Sequence, residues 1–293
     1  MKAAPSGGFF VIMKYLYTIL FALLASIAVA QEDLLEGIEI EEDNEVTSTW
    51  KSLKVVNFET TKLVAPKELQ VVISHRFGSV ENGIDDLFGL DNAVTRFQFV
   101  YGLTDWMHIE ASRSGFNKTY QLASKFKLKR QEKEGFPFSI ALFTAIDANT
   151  DLDDAIFPKL EFVDRLGYTA QLIIARKISK RLSAQISPTF FHQNFVPFDP
   201  QDNTQYALGI GARYKLTNRW SLNADYGAHL NRADGSPFVN PLSIGVDLET
   251  GGHVFQMHFT NAQPMLTNGF LSQGTGDWLD GRFYFGFNLV RVF

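Results

Sequence analysis

From residue 69 to the last residue, the chain alternates apolar and polar side chains in twelve separate runs, and this period of two constrains the fold more than any other feature. Leu69, Val71 and Ile73 oppose Gln70, Ser74 and Arg76. Phe97, Phe99 and Tyr101 oppose Arg96 and Gln98, and Met107, Ile109 and Ala111 oppose His108, Glu110 and Ser112. The runs cover 69–77, 93–101, 107–112, 120–128, 136–146, 168–176, 182–192, 206–214, 220–230, 242–248, 253–260 and 282–293. Their connections alternate in length. Residues 78–92, 147–167, 193–205, 231–241 and 261–281 form long loops, 115–118 is a short exception, and the intervening joins are mostly brief. A strand of about ten residues crosses a bilayer when tilted. An even number of such strands with alternately short and long connections describes a transmembrane antiparallel up-and-down β-barrel. The expected fold class is therefore all-β, a barrel of about 12 strands with both ends on the periplasmic side. A soluble sandwich gives no reason for the alternation in loop length.

Composition agrees. The chain holds 27 Phe, 9 Tyr and 4 Trp against 5 Met, and no second run of 18 apolar residues follows the N-terminus. This is the balance of a barrel with apolar atoms on alternate residues and aromatic girdles, and it argues against a helical membrane protein. The last run places Phe283, Phe285, Phe287, Leu289 and Phe293 on one face; Arg291 interrupts that face near its end, where its head can snorkel to the interface. A terminal aromatic closing such a strand is similar to the signal read by the barrel-assembly machinery, which is thus an expected partner during biogenesis, with outer-membrane lipid as the lasting one. Cysteine is absent, which excludes a disulfide framework, a thiolate metal site and a cysteine nucleophile. A formal charge of −5 argues against nucleic-acid binding.

The N-terminus reads as a targeting segment. Lys14 precedes the apolar stretch 15–24, and Ala28-Val29-Ala30 supplies a small-residue cleavage pattern before Gln31. Residues 1–30 are the expected signal peptide, cleaved after Ala30, for export to the bacterial outer membrane. Met13-Lys14 resembles a natural start, which makes residues 1–12 an extension ahead of it. Removing residues 1–30 deletes Lys2 and Lys14 and no acid, so the charge moves from −5 to −7. Residues 31–66 are expected to be an acidic periplasmic segment ahead of a barrel domain at 67–293, because 31–48 carries eight acids and no base. Within it, Val55, Val56, Phe58 and Leu63 leave open a short strand or a fold into the barrel mouth.

If the apolar face meets lipid, the opposite face lines the lumen. The lumen-lining candidates are Arg96, Gln98, His108, Glu110, Lys125, Lys127, Arg213, Asp225, Asp247 and His258. Both signs of charge are present, so these groups can line an aqueous path for a small polar solute or lock the barrel with internal pairs. His108, Glu110 and Ser112 share one strand face, but residues two apart on a strand lie roughly 6–7 Å apart, too far for a triad. Glu110 paired with Arg96 is the expected arrangement. His75 and Arg76 stand at the outer rim, where Arg76 is expected to pin a loop through Asp85, Asp86 or Asp91. Asp151, Asp153 and Asp154 are weak candidates for a Ca²⁺ site, since they lack the Gly and terminal Glu of an EF-hand loop; an acidic solvated loop is the better reading. No phosphate loop, zinc spacing or nucleophile elbow occurs, so no catalytic residue and no cofactor is expected.

Ile73-Ser74-His75-Arg76-Phe77-Gly78, Leu87-Phe88-Gly89-Leu90-Asp91 and Tyr101-Gly102-Leu103-Thr104-Asp105 resemble an uncharacterised barrel family of Bacteroidota, domain of unknown function 5777. The resemblance runs over about residues 49–293. It implies an outer-membrane-type β-barrel and supplies no substrate, reaction or catalytic residue.

The leading functional expectation is a narrow channel or binding barrel for small polar solutes. The alternative is a structural barrel whose loops present a surface to a partner. An outer-membrane lipid hydrolase comes third and needs a histidine close to a serine or aspartate across neighbouring strands.

Overall fold

The computed structural model describes residues 44–251 and 253–293. The expected export signal, its expected cleavage site and the acidic stretch up to residue 43 lie outside the described residues.

Twelve antiparallel strands form one closed barrel. In chain order they are β1 (Leu69–Ser79), β2 (Val94–Thr104), β3 (Met107–Ser114), β4 (Tyr120–Lys129), β5 (Ser139–Ala148), β6 (Leu166–Lys177), β7 (Leu182–Gln193), β8 (Thr204–Lys215), β9 (Trp220–His229), β10 (Leu242–Thr250), β11 (His253–Thr260) and β12 (Tyr284–Val292). Each strand pairs with its neighbours in sequence, and β1 also pairs with β12, with Val71 opposite Phe99 on one side and Arg291 on the other. Closure leaves no unpaired sheet edge, which a bilayer requires. All twelve expected strands are present. The fifth starts at Ser139 rather than residue 136, because residues 132–136 form a tight loop in which Glu132 N–H bonds the Phe136 carbonyl at 2.9 Å. The last starts at Tyr284, because Gly281 turns the chain at φ 73° just before it.

The period of two sorts the side chains as a membrane barrel needs. Along β2, Phe97 and Phe99 point outward and are about half exposed, while Arg96 and Gln98 point inward and are buried. Near the long loops the outer surface carries aromatic contacts: Phe77 stacks on Phe285 at 5.6 Å and Trp278 on Phe283 at 4.9 Å. At the end that carries the C-terminus, Arg291 is exposed and lies over the Phe293 ring at 4.6 Å.

The lumen is occupied. Val55 N–H bonds the Phe58 carbonyl and Thr60 N–H the Leu53 carbonyl, both at 2.8 Å, so residues 53–60 form a hairpin. Trp50, Leu53, Val55, Val56, Phe58 and Val64 are all buried within the barrel. This settles the alternatives left open for residues 49–66: they form a hairpin plug inside the wall. From the other end, the long β11–β12 connection folds back and inserts a short helix, α1 (Thr267–Ser272), every residue of which is buried. Plug and helix meet edge to face, with the Phe58 and Phe270 rings 5.0 Å apart. The strand wall makes room for them with glycine. A Cβ on Gly209 would fall 2.3 Å from the Phe58 ring, and one on Gly227 would fall 2.8 Å from Leu271 and 2.9 Å from Phe58.

Candidate functional site in the occluded lumen

All of the ten lumen-lining candidates except Lys127 are buried inside the barrel. Lys127 sits at the mouth instead, with its ammonium on the Asp105 carbonyl of the β2–β3 turn. The buried nine divide between two walls, because alternate residues of neighbouring strands bring them side by side.

The first wall, on β2 to β5, is a hydrogen-bonded ladder. Val64 N–H of the plug donates to His108 Nδ1 at 3.2 Å. That contact leaves the proton on Nε2, which donates to Glu110 Oε1 at 3.0 Å. Gln98 Nε2 donates to the other Glu110 oxygen at 2.6 Å. Arg96 donates to Ser112 Oγ at 3.0 Å and to Gln121 Oε1 at 2.7 Å, and Gln121 in turn donates to Asp147 at 2.7 Å. Two expectations are corrected here. Arg96 bonds one step further along the ladder, to Ser112 and Gln121 rather than to Glu110. His108 does reach Glu110, although their backbones are two residues apart, because both side chains are long enough to lean together. Ser112 is held by Arg96, so no triad forms.

The second wall grips the plug. One carboxylate oxygen of Asp225 on β9 accepts three successive backbone N–H groups of the hairpin tip, from Val56 at 3.0 Å, Asn57 at 2.6 Å and Phe58 at 3.2 Å. This is an amide nest closed on a fixed anion. The Asn57 side chain donates to Ser243 Oγ at 2.8 Å and accepts from Arg76 Nη2 at 2.9 Å. Gln256 donates to the Val55 carbonyl and to Asp247, both at 2.9 Å, and Gln185 donates to the Glu59 carbonyl at 2.8 Å. Arg213 donates through Nε to Ser221 at 3.1 Å, and His258 packs beside Arg76 under Gly286.

At the plug's base, Glu59 is buried between Lys125 at 2.9 Å and Lys54 at 2.7 Å. Burial alone would raise the Glu59 carboxyl, but Lys125 and Lys54 outweigh it and hold the group at about 2. A buried carboxylate with two cations and further hydrogen bonds is what keeps such a charge tolerable.

The rim residues part company. Arg76 is buried in the lumen and bonds Asn57, which corrects the expectation that it pins a loop; Asp91 is exposed. The reason is parity: on β1, Arg76 shares its face with Gln70, Val72 and Ser74. His75 does face outward, where Nδ1 meets Thr95 Oγ1 at 2.7 Å and the ring stacks on Phe287 at 5.3 Å. The three aspartates proposed for Ca²⁺ go to separate partners. Asp151 pairs with Lys118 at 2.5 Å, Asp153 caps Ala155 N–H at 2.8 Å, and Asp154 pairs with Arg165. Among the described residues no group of three His, Cys, Asp or Glu is placed to share a metal ion. Nor does any histidine there hydrogen-bond a serine or an aspartate; the ring contacts go to Thr95, Glu110, Val64, Thr204, Asn194 and Gln205.

Sequence reasoning missed Asn57 and Glu59, which make the plug's most specific contacts. The usable signal was glycine on the polar face of β8 and β9, at Gly209, Gly211 and Gly227, which marks a close approach from inside.

Several solved structures resemble the chain at low identity. The NanC porin is 9% identical, with 76% of this chain and 98% of that one covered at a TM-score of 0.47. The KdgM porin is 9% identical over 76% and 99%, at 0.46. An outer membrane channel from Pseudomonas putida F1 is 16% identical over 87% and 100%, at 0.46. Likeness at this level assigns no solute or reaction. No curated protein matches the sequence. A family model described as a membrane bound beta barrel domain, DUF5777, matches residues 50–293, a span that takes in the hairpin plug as well as all twelve strands. The chain belongs to that family of membrane-bound β-barrels.

Proposed function

We propose that the protein is a bacterial outer-membrane barrel of the channel type, held closed by its own N-terminal hairpin, and that small polar solutes pass when the hairpin withdraws. Residues 1–30 direct export and are cleaved after Ala30, the termini and short turns face the periplasm, and the aromatic last strand engages the assembly machinery. The observation that carries the channel reading is how the plug is held. Its tip is gripped by Asp225, Arg76, Ser243 and Gln256, polar side chains of the lumen wall, beside apolar clusters in which Phe58 meets Phe191 and Phe270, and Leu53 and Val64 meet Val72 and Val100. The polar anchors can exchange for water when the plug leaves, and the apolar contacts set the cost of its withdrawal.

A second reading has its own observation. The Phe58–Phe270 contact closes the lumen from both ends, as suits a barrel that only presents its loops. Planar-bilayer recordings separate the two. The channel reading expects rare openings for the full barrel and a lasting conductance once residues 49–66 are deleted. A deletion variant that folds and never conducts leaves the presenting barrel.

A further inference from the structure

At the end of the barrel that carries Phe293, a cavity of about 220 Å³ opens between the plug's base and the wall. Among the described residues six cations line it and no acid does: Lys51 from the plug, Lys177 at the end of β6, Lys180 and Arg181 in the following turn, and Arg213 and Lys215 on β8. The sheet register brings them together. Lys177 stands opposite Ser183, Ser183 opposite Arg213, and the Lys215 N–H bonds the Arg181 carbonyl at 2.7 Å.

The charge there is only partly compensated. Lys51 pairs with Glu249 at 2.5 Å, and Asp247, the other acid near Arg213, is engaged by Gln256. Among the described residues no carboxylate pairs with Lys177, Lys180, Arg181, Arg213 or Lys215. Arg213 is buried, fixed through Nε by Ser221, and its two terminal nitrogens make no hydrogen bond there. Holding like charges together costs free energy that an anion recovers, and a planar guanidinium beside ammonium groups suits the oxygens of a phosphate. A single-charged ion leaves most of this potential unmatched.

We propose that this cavity is a binding site for a small, multiply charged anion of the phosphate class, which would bridge the plug's base to the barrel wall. The site stands whether or not the barrel conducts.

Titration calorimetry of the folded full-length protein with inorganic pyrophosphate, at about 0.15 M sodium chloride to screen diffuse attraction, tests it. Saturable binding is expected. Lys180→Gln/Arg181→Gln, both exposed and remote from the packed interior, should weaken it about tenfold or more, and adding Lys215→Gln should weaken it further. Lys133→Gln/Lys159→Gln, cations outside the cavity, should leave it unchanged. Repeating the titration in nanodiscs identifies the source: competition by phosphatidylglycerol but not phosphatidylcholine assigns the phosphate to a lipid headgroup, and indifference to both assigns it to a soluble ester. Absence of saturable binding in every medium, or equal affinity in the cavity variants, overturns the proposal.

Discussion

Asp225 and Asn57, 168 residues apart in the chain, are joined by a 2.6 Å hydrogen bond from the Asn57 backbone N–H to the Asp225 carboxylate. Two neighbouring amides share the same oxygen, so one side chain on β9 fixes the tip of the plug. Hydrogen bonds to an ionised acceptor are about twice as strong as neutral ones. Asp225→Asn keeps the shape and removes the charge, which should cost the closed state about 2 kcal/mol and raise its open fraction roughly thirtyfold. Single-channel recordings read the change. An open fraction equal to that of the unsubstituted protein means that the carboxylate does not hold the plug.

Gly209 offers a steric route to the same end. Its added Cβ would lie 2.3 Å from the Phe58 ring. Gly209→Ala should therefore displace the hairpin and destabilise the packed lumen by about 1–3 kcal/mol. Phe58→Ala in the same chain should relieve the clash, so thermal denaturation of the double variant should show less than the sum of the two single losses.

Glu59 makes the plug sensitive to acid. Its folded-state value of about 2 lies below the ordinary 4.5 of a glutamate, so its ion pairs stabilise the closed state fully above about 4.5. That contribution fades as pH falls from 4.5 through 2. Conductance should rise over this window, and Lys125→Met, which leaves only Lys54 beside Glu59, should move the rise to higher pH. A pH profile that is the same in both proteins removes Glu59 as the cause.

The acidic β5–β6 loop should be indifferent to calcium. Asp151, Asp153 and Asp154 are spent on three different partners. Millimolar Ca²⁺ is expected to leave the melting temperature unchanged, and Asp151→Ala, which breaks an exposed pair, should change stability by no more than about 0.5 kcal/mol. A calcium-dependent rise in melting temperature would show that the loop rearranges around the ion.

The strands were legible because their cause is local. Alternation at residues such as Phe97, Gln98 and Phe99 is written in adjacent letters, and the bilayer enforces it on every strand. The same parity also placed Arg76 inward, but its position near the end of a run suggested a rim, and proximity to Asp91 in sequence outweighed the pattern. The plug was not legible. Eight acids in residues 31–48 dominate its neighbourhood, while the contacts that hold it are made to residues beyond position 180 as well as to the nearer Arg76, His108 and Lys125. The His108–Glu110 bond was hidden for a different reason: backbone spacing along a strand says little about where two long side chains meet.

The distance along the chain between hairpin and anchor has a consequence for assembly. The plug emerges from the ribosome first, yet the pocket that receives it needs β8 to β12 and the α1 connection, which come last. Contacts of such long sequence separation form late. Closure of the sheet spans a still longer separation, with Gln70 of β1 opposite Val292 of β12, so it waits for the same late strands and the wall can close around a hairpin already in place.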